Sequence, residues 1–327
     1  MEERNEKILW EGYGLRLRSA TRTRTGLICR TDQGLRELKK PRGGTESLYL
    51  AAQVKQQLRK NGFDRISRMF ETVEGEPFYR YDGVLYILED TMPPESLGED
   101  STLDFVRGAE TLGQMHAAAV GLPDAGWDRE RLPVLYKKRR RELSKMRRRK
   151  DKKGHYDGID LLLMRYYEQY AAQVQEAEQL LQQGDYSGAV DRAAAEGAFC
   201  HNAYKSEALR LGSGGRIFVG NFDKCSRELP LADLAFYLRR YCKKTAGERE
   251  GVWEMLEAYS RYRSLSDQDL TLLMGMLVYP EKFLRLVNEY YNRRRACVSP
   301  AMEERLAAAA EEEKKGLRLK GIIEKGC

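Results

Sequence analysis

Cys200-His201-Asn202-Ala203-Tyr204-Lys205-Ser206-Glu207-Ala208-Leu209, then Arg216-Ile217-Phe218-Val219-Gly220-Asn221-Phe222-Asp223, then Ala232-Asp233-Leu234-Ala235: the reading of the chain turns on these three runs. The first is an irregular polar loop. Gly212, Gly214 and Gly215 make a turn after it. The second run is a short apolar strand, and the third opens a helix with an aspartate in its first turn.

Working outward to the N-terminus, residues 8–40 read as strands with turn punctuation. Leu15 and Leu17 alternate with Arg16 and Arg18, as in a half-exposed strand, and Thr25–Arg30 is a second run. Asp32-Gln33-Gly34 is a hairpin turn leading into Leu35–Lys40, which Pro41 and Gly43-Gly44 end. Thr45 can cap a helix to about Asn61, where Gly62 stops it. Leu48, Ala51, Ala52, Lys55 and Leu58 form its stripe. Strands follow near Ser67–Thr72, Phe78–Tyr81 and Val84–Leu88.

Beyond Thr91-Met92-Pro93-Pro94 the period changes to helical. Helices are expected at Leu103–Ala119 (capped by Ser101 or Thr102), Pro133–Lys153 and Ile159–Gln183. After the loop and strand they resume at Asp233–Lys244, Glu248–Tyr262, Asp267–Leu277, Pro280–Arg294 and Ser299–Lys315. The fold class is therefore α+β and bilobal: a strand-rich lobe over 1–92, and a helical lobe over 93–327 that holds the loop region 198–240.

Composition narrows the function classes. The chain has 327 residues, 42% hydrophobic and 33% charged, ample for two lobes with cores. No apolar run approaches the roughly 18–20 residues that span a bilayer. The charged start, Met1 to Lys7, argues against a signal peptide. Six cysteines lie scattered without the close pairs of a zinc or redox motif, so reduced thiols and a cytoplasmic location are expected. Three histidines are too few and too separated for a His-rich metal site.

The net charge of +7 is concentrated in one place. Residues 137–153 hold twelve basic and two acidic residues; the rest of the chain has 45 basic and 48 acidic. Leu135, Leu143 and Met146 give this segment only a thin apolar face, and no aromatic residues are interleaved for base stacking. A membrane-surface helix would carry more apolar bulk. Nucleic acid and membrane are therefore disfavoured, and an acidic protein partner is the expectation for helix 137–153.

A loop, a strand and a helix-opening aspartate in this order, below a strand-rich lobe, is how kinase-type phosphotransferases build a catalytic centre. Phosphoryl transfer needs a lysine on the phosphates, metal-binding groups and a base for the acceptor hydroxyl. Lys39 stands on the third strand just before a helix, where such a lysine belongs; Lys40 is the alternative, and strand alternation turns only one of them inward. Glu46 could pair with the lysine, and the hinge backbone near Glu89-Asp90 could meet a base.

Further runs carry a family likeness: Leu38-Lys39-Lys40, Asn61-Gly62-Phe63, Gly75-Glu76-Pro77-Phe78-Tyr79, Leu112-Gly113-Gln114-Met115-His116, Cys200-His201, Phe222-Asp223-Lys224-Cys225, Asp233 to Arg240, Tyr279-Pro280-Glu281-Lys282-Phe283 and Tyr290-Tyr291. In order and spacing, over nearly the whole chain, these resemble the CotS-family spore coat proteins of the aminoglycoside phosphotransferase, protein kinase-like superfamily. The resemblance implies a spore-coat location with other coat proteins as partners, and a site for ATP and Mg2+.

It also places a catalytic aspartate where this chain has Ala203, a metal-binding asparagine where it has Ala208, and a metal-binding aspartate where it has Asn221. Alanine has no lone pair to take a proton or hold a cation. Loss of a general base alone removes about 10²- to 10⁴-fold in rate. Two substitutes are open: Asn221 with Asp223 as metal candidates, and Glu207 reaching the base position. Asp233 is expected to cap its helix and brace the loop from behind, and His201 to be structural. Cys200 and Cys225 are expected to lie close as buried thiols. Three functions follow in order: a kinase-like interaction protein without catalysis, an active small-molecule kinase, and a nucleotide-binding sensor with ATP and Mg2+ held weakly or not at all.

Overall fold

Hairpin chemistry sets the order of the first sheet. In the computed structural model, which describes residues 2–23, 26–123, 131–151, 156–245, 247–292 and 301–326, β1 (Leu17–Arg22), β2 (Leu27–Thr31) and β3 (Gly34–Lys39) form an antiparallel meander. Gly34 closes the β2–β3 turn at φ +104°, a left-handed conformation that glycine tolerates, and the Thr31 hydroxyl accepts from the Gln33 N–H. β6 (Val84–Asp90) pairs with β3, and β4 (Met69–Phe70) lies beyond it, giving the order β1-β2-β3-β6-β4; β5 (Tyr79–Tyr81) makes a hairpin with the first half of β6.

The sheet buries Cys29, Leu38, Tyr86 and Leu88 against Ile8, Leu9 and Tyr13 of α1 (Glu2–Tyr13). Sequence reasoning missed α1. Its exposed acids and lysine hide a one-sided apolar stripe that only the sheet reveals. α2 (Thr45–Lys60) starts one residue away from its expected cap: Gly44 is the N-cap, without a side-chain bond, and Thr45 is already helical.

The second lobe is helical. α3 (Thr102–Ala118) is capped by Ser101, whose hydroxyl accepts from the Asp104 N–H. α4 (Leu132–Asp151), α5 (Gly158–Gln183) and α6 (Tyr186–Glu196) follow. α6 is also absent from the sequence reading; it is a short helix that buries mainly alanine and valine beside Tyr186. The hairpin β7 (Leu209–Leu211) and β8 (Ile217–Val219) precedes α7 (Leu231–Lys244), α8 (Arg249–Ser260), α9 (Asp267–Val278), α10 (Glu281–Asn292) and α11 (Met302–Glu324). α3 packs on α8, α5 on α4 and α9, and α11 across α9 and α10. This is the α+β, two-lobed architecture that the sequence predicts.

Contacts between the lobes are specific. Ile66 bridges to Val219, the Val219 N–H donates to Arg65 O at 2.8 Å, and Asn61 Nδ2 reaches Ala118 O at 2.8 Å. His155, Cys297, Cys327, Lys152 and Lys153, with the element ends read at Thr25, Arg294 and Ser299, lie outside the described residues.

Candidate functional site

The loop after α6 is held by one buried carboxylate. Asp233, in the first turn of α7, accepts the backbone N–H of Asn202 on Oδ1 at 2.8 Å, and on Oδ2 that of His201; His116 Nε2 lies 3.2 Å from the same Oδ2. Burial alone would raise the carboxyl's pKa, but His116 and the loop amides hold it below the ordinary aspartate value. An ionised Asp233 makes His116 Nε2–H the donor, leaving Nδ1 to accept from Tyr259 Oη at 2.9 Å. His201 is fixed likewise: Nε2 donates to Gly220 O at 2.8 Å, and Nδ1 accepts the Ala203 N–H at 3.2 Å. Burial pushes both imidazoles below their usual pKa, so both are neutral. Asp233 does not cap its own helix; Pro230 is the N-cap, and the carboxylate serves the loop instead.

The positions where chemistry would occur surround this frame. Ala203 offers only its backbone. Ala208 is buried and accepts the Gly220 N–H at 2.8 Å with its carbonyl. Asn221 takes a left-handed backbone (φ +60°), and its Nδ2 donates to Glu207 O at 3.1 Å. Asp223 Oδ2 accepts the Arg42 N–H at 2.7 Å from the loop between β3 and α2. That loop comes so near that a Cβ on Gly43 would stand 2.0 Å from Asp223 O. Glu207 Oε1 accepts from Lys205 Nζ at 3.2 Å, while Oε2 is buried and has no hydrogen-bond partner among the described residues. Cys200 and Cys225 are both buried thiols, and the Cys200 backbone pairs with Ser226.

In the first lobe the lysine does not pair as the sequence suggests. Lys39 Nζ lies 2.9 Å from Glu89 Oε2 and 3.0 Å from Glu37 Oε2. Glu89 Oε1 is taken by Lys55 of α2, which also donates to Ser67 Oγ at 3.0 Å. Glu46 is instead exposed on the first turn of α2. The helix thus contributes a lysine where an acidic partner for Lys39 was expected, and β6 supplies the acid. Burial opposes charge on all of them. Lys39 and Lys55 nonetheless bring Glu89 down to about 2, Glu89 and Glu37 hold Lys39 above the ordinary lysine value, and burial wins at Lys55, which is lowered. The backbone at Glu89 and Asp90 is occupied too: Glu89 stands opposite Glu37 and Met69 in the ladders, and the Asp90 N–H donates to Arg68 O at 3.0 Å.

This cluster makes stability acid-sensitive. Glu89 has a folded pKa of about 2 against 4.5 for an ordinary glutamate. A depressed carboxylate stabilises the fold above the unfolded value and loses that contribution as pH falls through the folded one. Asp233 acts in the same direction. Urea midpoints are expected to fall steeply as pH drops from about 5 to about 2, and Glu89→Gln is expected to flatten that slope. An equally steep slope in the variant would assign the acid sensitivity elsewhere.

Two cavities open on the frame. A cleft of about 520 Å3 lies between the lobes, roofed by Thr23, Ile28 and Lys39, walled by Thr91 to Pro94, and floored by Ala208 and Asn221. Glu37 and Glu207 also face it. A larger cavity of about 1130 Å3 lies on the far side of the loop, lined by residues that include Glu46, Tyr136, Arg139, Asn202 and Asp223. The structure therefore brings Lys39, Glu207, Ala208 and Asn221 to one cleft and leaves Glu46 and Asp223 on the other cavity. Lys55, Glu37 and His116 are the cluster residues that sequence reasoning did not assign. The signal for Lys55 was its place in the apolar stripe of α2.

The geometry fits what comparison with known proteins finds. The chain is similar to an aminoglycoside phosphotransferase from Alicyclobacillus acidocaldarius, with TM-score 0.79, 16% identity, and coverage of 96% of this chain and 94% of that one. It is also similar to a spectinomycin phosphotransferase solved with ADP and spectinomycin (TM-score 0.63, 12% identity, 96% and 98% coverage). A third likeness is to an amicoumacin kinase solved with AMP-PNP and Ca2+ (TM-score 0.58, 14% identity, 96% and 93% coverage). At these identities the likeness is one of fold. No curated protein matches the sequence. The family model described as "Spore coat putative kinase YutH" matches residues 6–319. On that match and this fold, the chain belongs to the spore coat kinase-like family which that model describes.

Proposed function

We propose that this chain is a pseudokinase of the spore coat, an interaction or structural protein of sporulation that keeps the kinase frame and has given up its reaction. One feature carries the reading: Ala203, Ala208 and Asn221 stand where the family resemblance places the base and both metal ligands, on a loop still anchored by Asp233, His116 and His201. The carboxylate of Asp233, the imidazoles of His116 and His201 and the strand to Phe222 are all in place; the groups that would move a proton or hold a cation are not. A CotS-like role among other coat proteins, and a cytoplasmic origin before coat assembly, belong to the same reading.

The donor set argues against Mg2+. Ala208 offers no side-chain oxygen, Asn221 offers at most a neutral one, and Asp223 already accepts the Arg42 N–H. Mg2+ in kinase sites relies on one or two carboxylates together with substrate phosphates. A nucleotide would fit the cleft by volume, since ligand sites run from about 300 to 1,000 Å3. It would meet Lys39 already paired with two carboxylates, and a wall in which Pro93 and Pro94 donate no N–H. Nucleotide binding without turnover is the second reading, favoured by the retained cleft; an active sugar or amino-alcohol kinase ranks last.

Thermal-shift titration with ATP, with and without Mg2+, tests this. Any ATP shift is expected to be small and indifferent to Mg2+, because neither Ala208 nor Asn221 presents a carboxylate to the ion. A shift that grows by several degrees only when Mg2+ is added would sink the reading.

A further inference from the structure

α4 carries a row of cations on the side turned away from the protein. Leu135, Tyr136, Leu143 and Met146 face inward, and two of the arginines are matched across to α5: Arg140 with Glu178, and Arg147 with Glu168. The outer face bears Lys137, Arg141, Lys145, Arg148 and Arg149, all exposed and in no ion pair among the described residues. Lys137, Arg141, Lys145 and Arg149 follow one another at intervals of four, so they form an oblique ridge that rises about 18 Å along the helix axis. Like charges at this spacing destabilise a helix. The fold offsets the inner arginines and leaves the outer row unbalanced.

We infer that this row is a docking surface for an acidic segment of another protein, laid along α4. The alternatives fit the surface less well. Apart from the exposed Val134, the apolar residues of α4 turn to the core, so little remains to enter a membrane. The exposed row has no aromatic side chain on which a base could stack. A duplex, wider than one helix face, would also reach Glu168, whose side chain is 79% exposed beside the row. A single acidic strand or helix follows the row without meeting that carboxylate. The row runs on from the wall of the larger cavity, which Leu132, Leu135, Tyr136 and Arg139 help to line, so an occupied α4 would lie beside the mouth of that cavity.

The test uses the full chain and a short poly-glutamate peptide as probe, with a DNA duplex of equal charge and anionic phosphatidylserine vesicles as competitors. The variant carries Lys137→Gln, Arg141→Gln, Lys145→Gln and Arg149→Gln, glutamine being a good helix former. A control carries Arg18→Gln, Arg59→Gln, Lys60→Gln and Lys325→Gln, the same charge change at exposed sites elsewhere. The peptide is expected to bind the wild type, to weaken with salt, and to lose about tenfold or more in affinity for the α4 variant but not for the control, the size expected of several exposed ion pairs. Unchanged binding by the α4 variant, an equal loss in the control, or no binding to the wild type overturns the inference. Tighter binding to the duplex or the vesicles than to the peptide overturns it as well. Circular dichroism and melting of both variants verify that each is folded.

Discussion

Glu89→Ala is expected to remove about 3–5 kcal/mol of stability, the range for breaking a buried charge pair by deleting one partner. Glu89 is 3% exposed, and each of its oxygens holds a different lysine. Without it, Lys55 is left buried with Ser67 as its remaining polar contact among those found, beside the Phe222 ring 5.4 Å away. Lys39 retains Glu37, so the damage falls mainly on α2 and on its contact with the Phe222 segment. Because that contact joins the lobes, the melting temperature should fall and α2 amides should exchange early. Glu89→Gln keeps volume and one acceptor and should cost less. If Glu89→Ala melts within a degree or two of the wild type, the cluster is not what secures α2.

Asp233→Ala should be of similar severity for a different reason. Three donors converge on one buried carboxylate, namely the amides of His201 and Asn202 and the ring N–H of His116. Hydrogen bonds to a charged group contribute about 1.5–3 kcal/mol each, and buried donors left unmet carry the full desolvation penalty. A loss of at least about 3 kcal/mol is expected, with Asp233→Asn intermediate because an amide oxygen can still accept. Histidine NMR separates this from generic core damage: in the wild type neither His116 nor His201 should titrate near neutral pH, and in a still-folded Asp233→Asn protein the His116 resonance should shift most. A loss below about 1 kcal/mol would contradict the bracing role.

Much of the fold was legible in residues. The Asp32-Gln33-Gly34 turn, the Ser101 cap and the Gly62 stop are local chemistry, and each stands where local chemistry puts it. That positions 203, 208 and 221 carry no carboxylate was legible for the same reason, from the type of side chain alone. What could not be read were pairings across long sequence separations. Lys39 was matched to Glu46 at the start of the next helix, but strand register sets Glu37 and Glu89 opposite each other and so brings both carboxylates to the lysine. Lys55 looked like an interruption in an apolar stripe until β6 supplied its partner. Asp233 was read both as a cap, because it opens a helix, and as a brace for the loop; the fold keeps the brace, on the amides of His201 and Asn202, and gives the cap to Pro230. α1 and α6 escaped although each has an apolar side: α1 runs into a stretch read as strands, and α6 is short and buries mainly alanine and valine.

The central claim is that the kinase frame is kept and its reaction lost, and phosphate release from Mg2+-ATP by the purified chain tests it most directly. The measurement should be run beside Lys39→Ala, over a panel of sugar and amino-alcohol acceptors. The account predicts release no faster than buffer for both proteins with every acceptor. Release by the wild type that exceeds buffer and disappears in Lys39→Ala would contradict it.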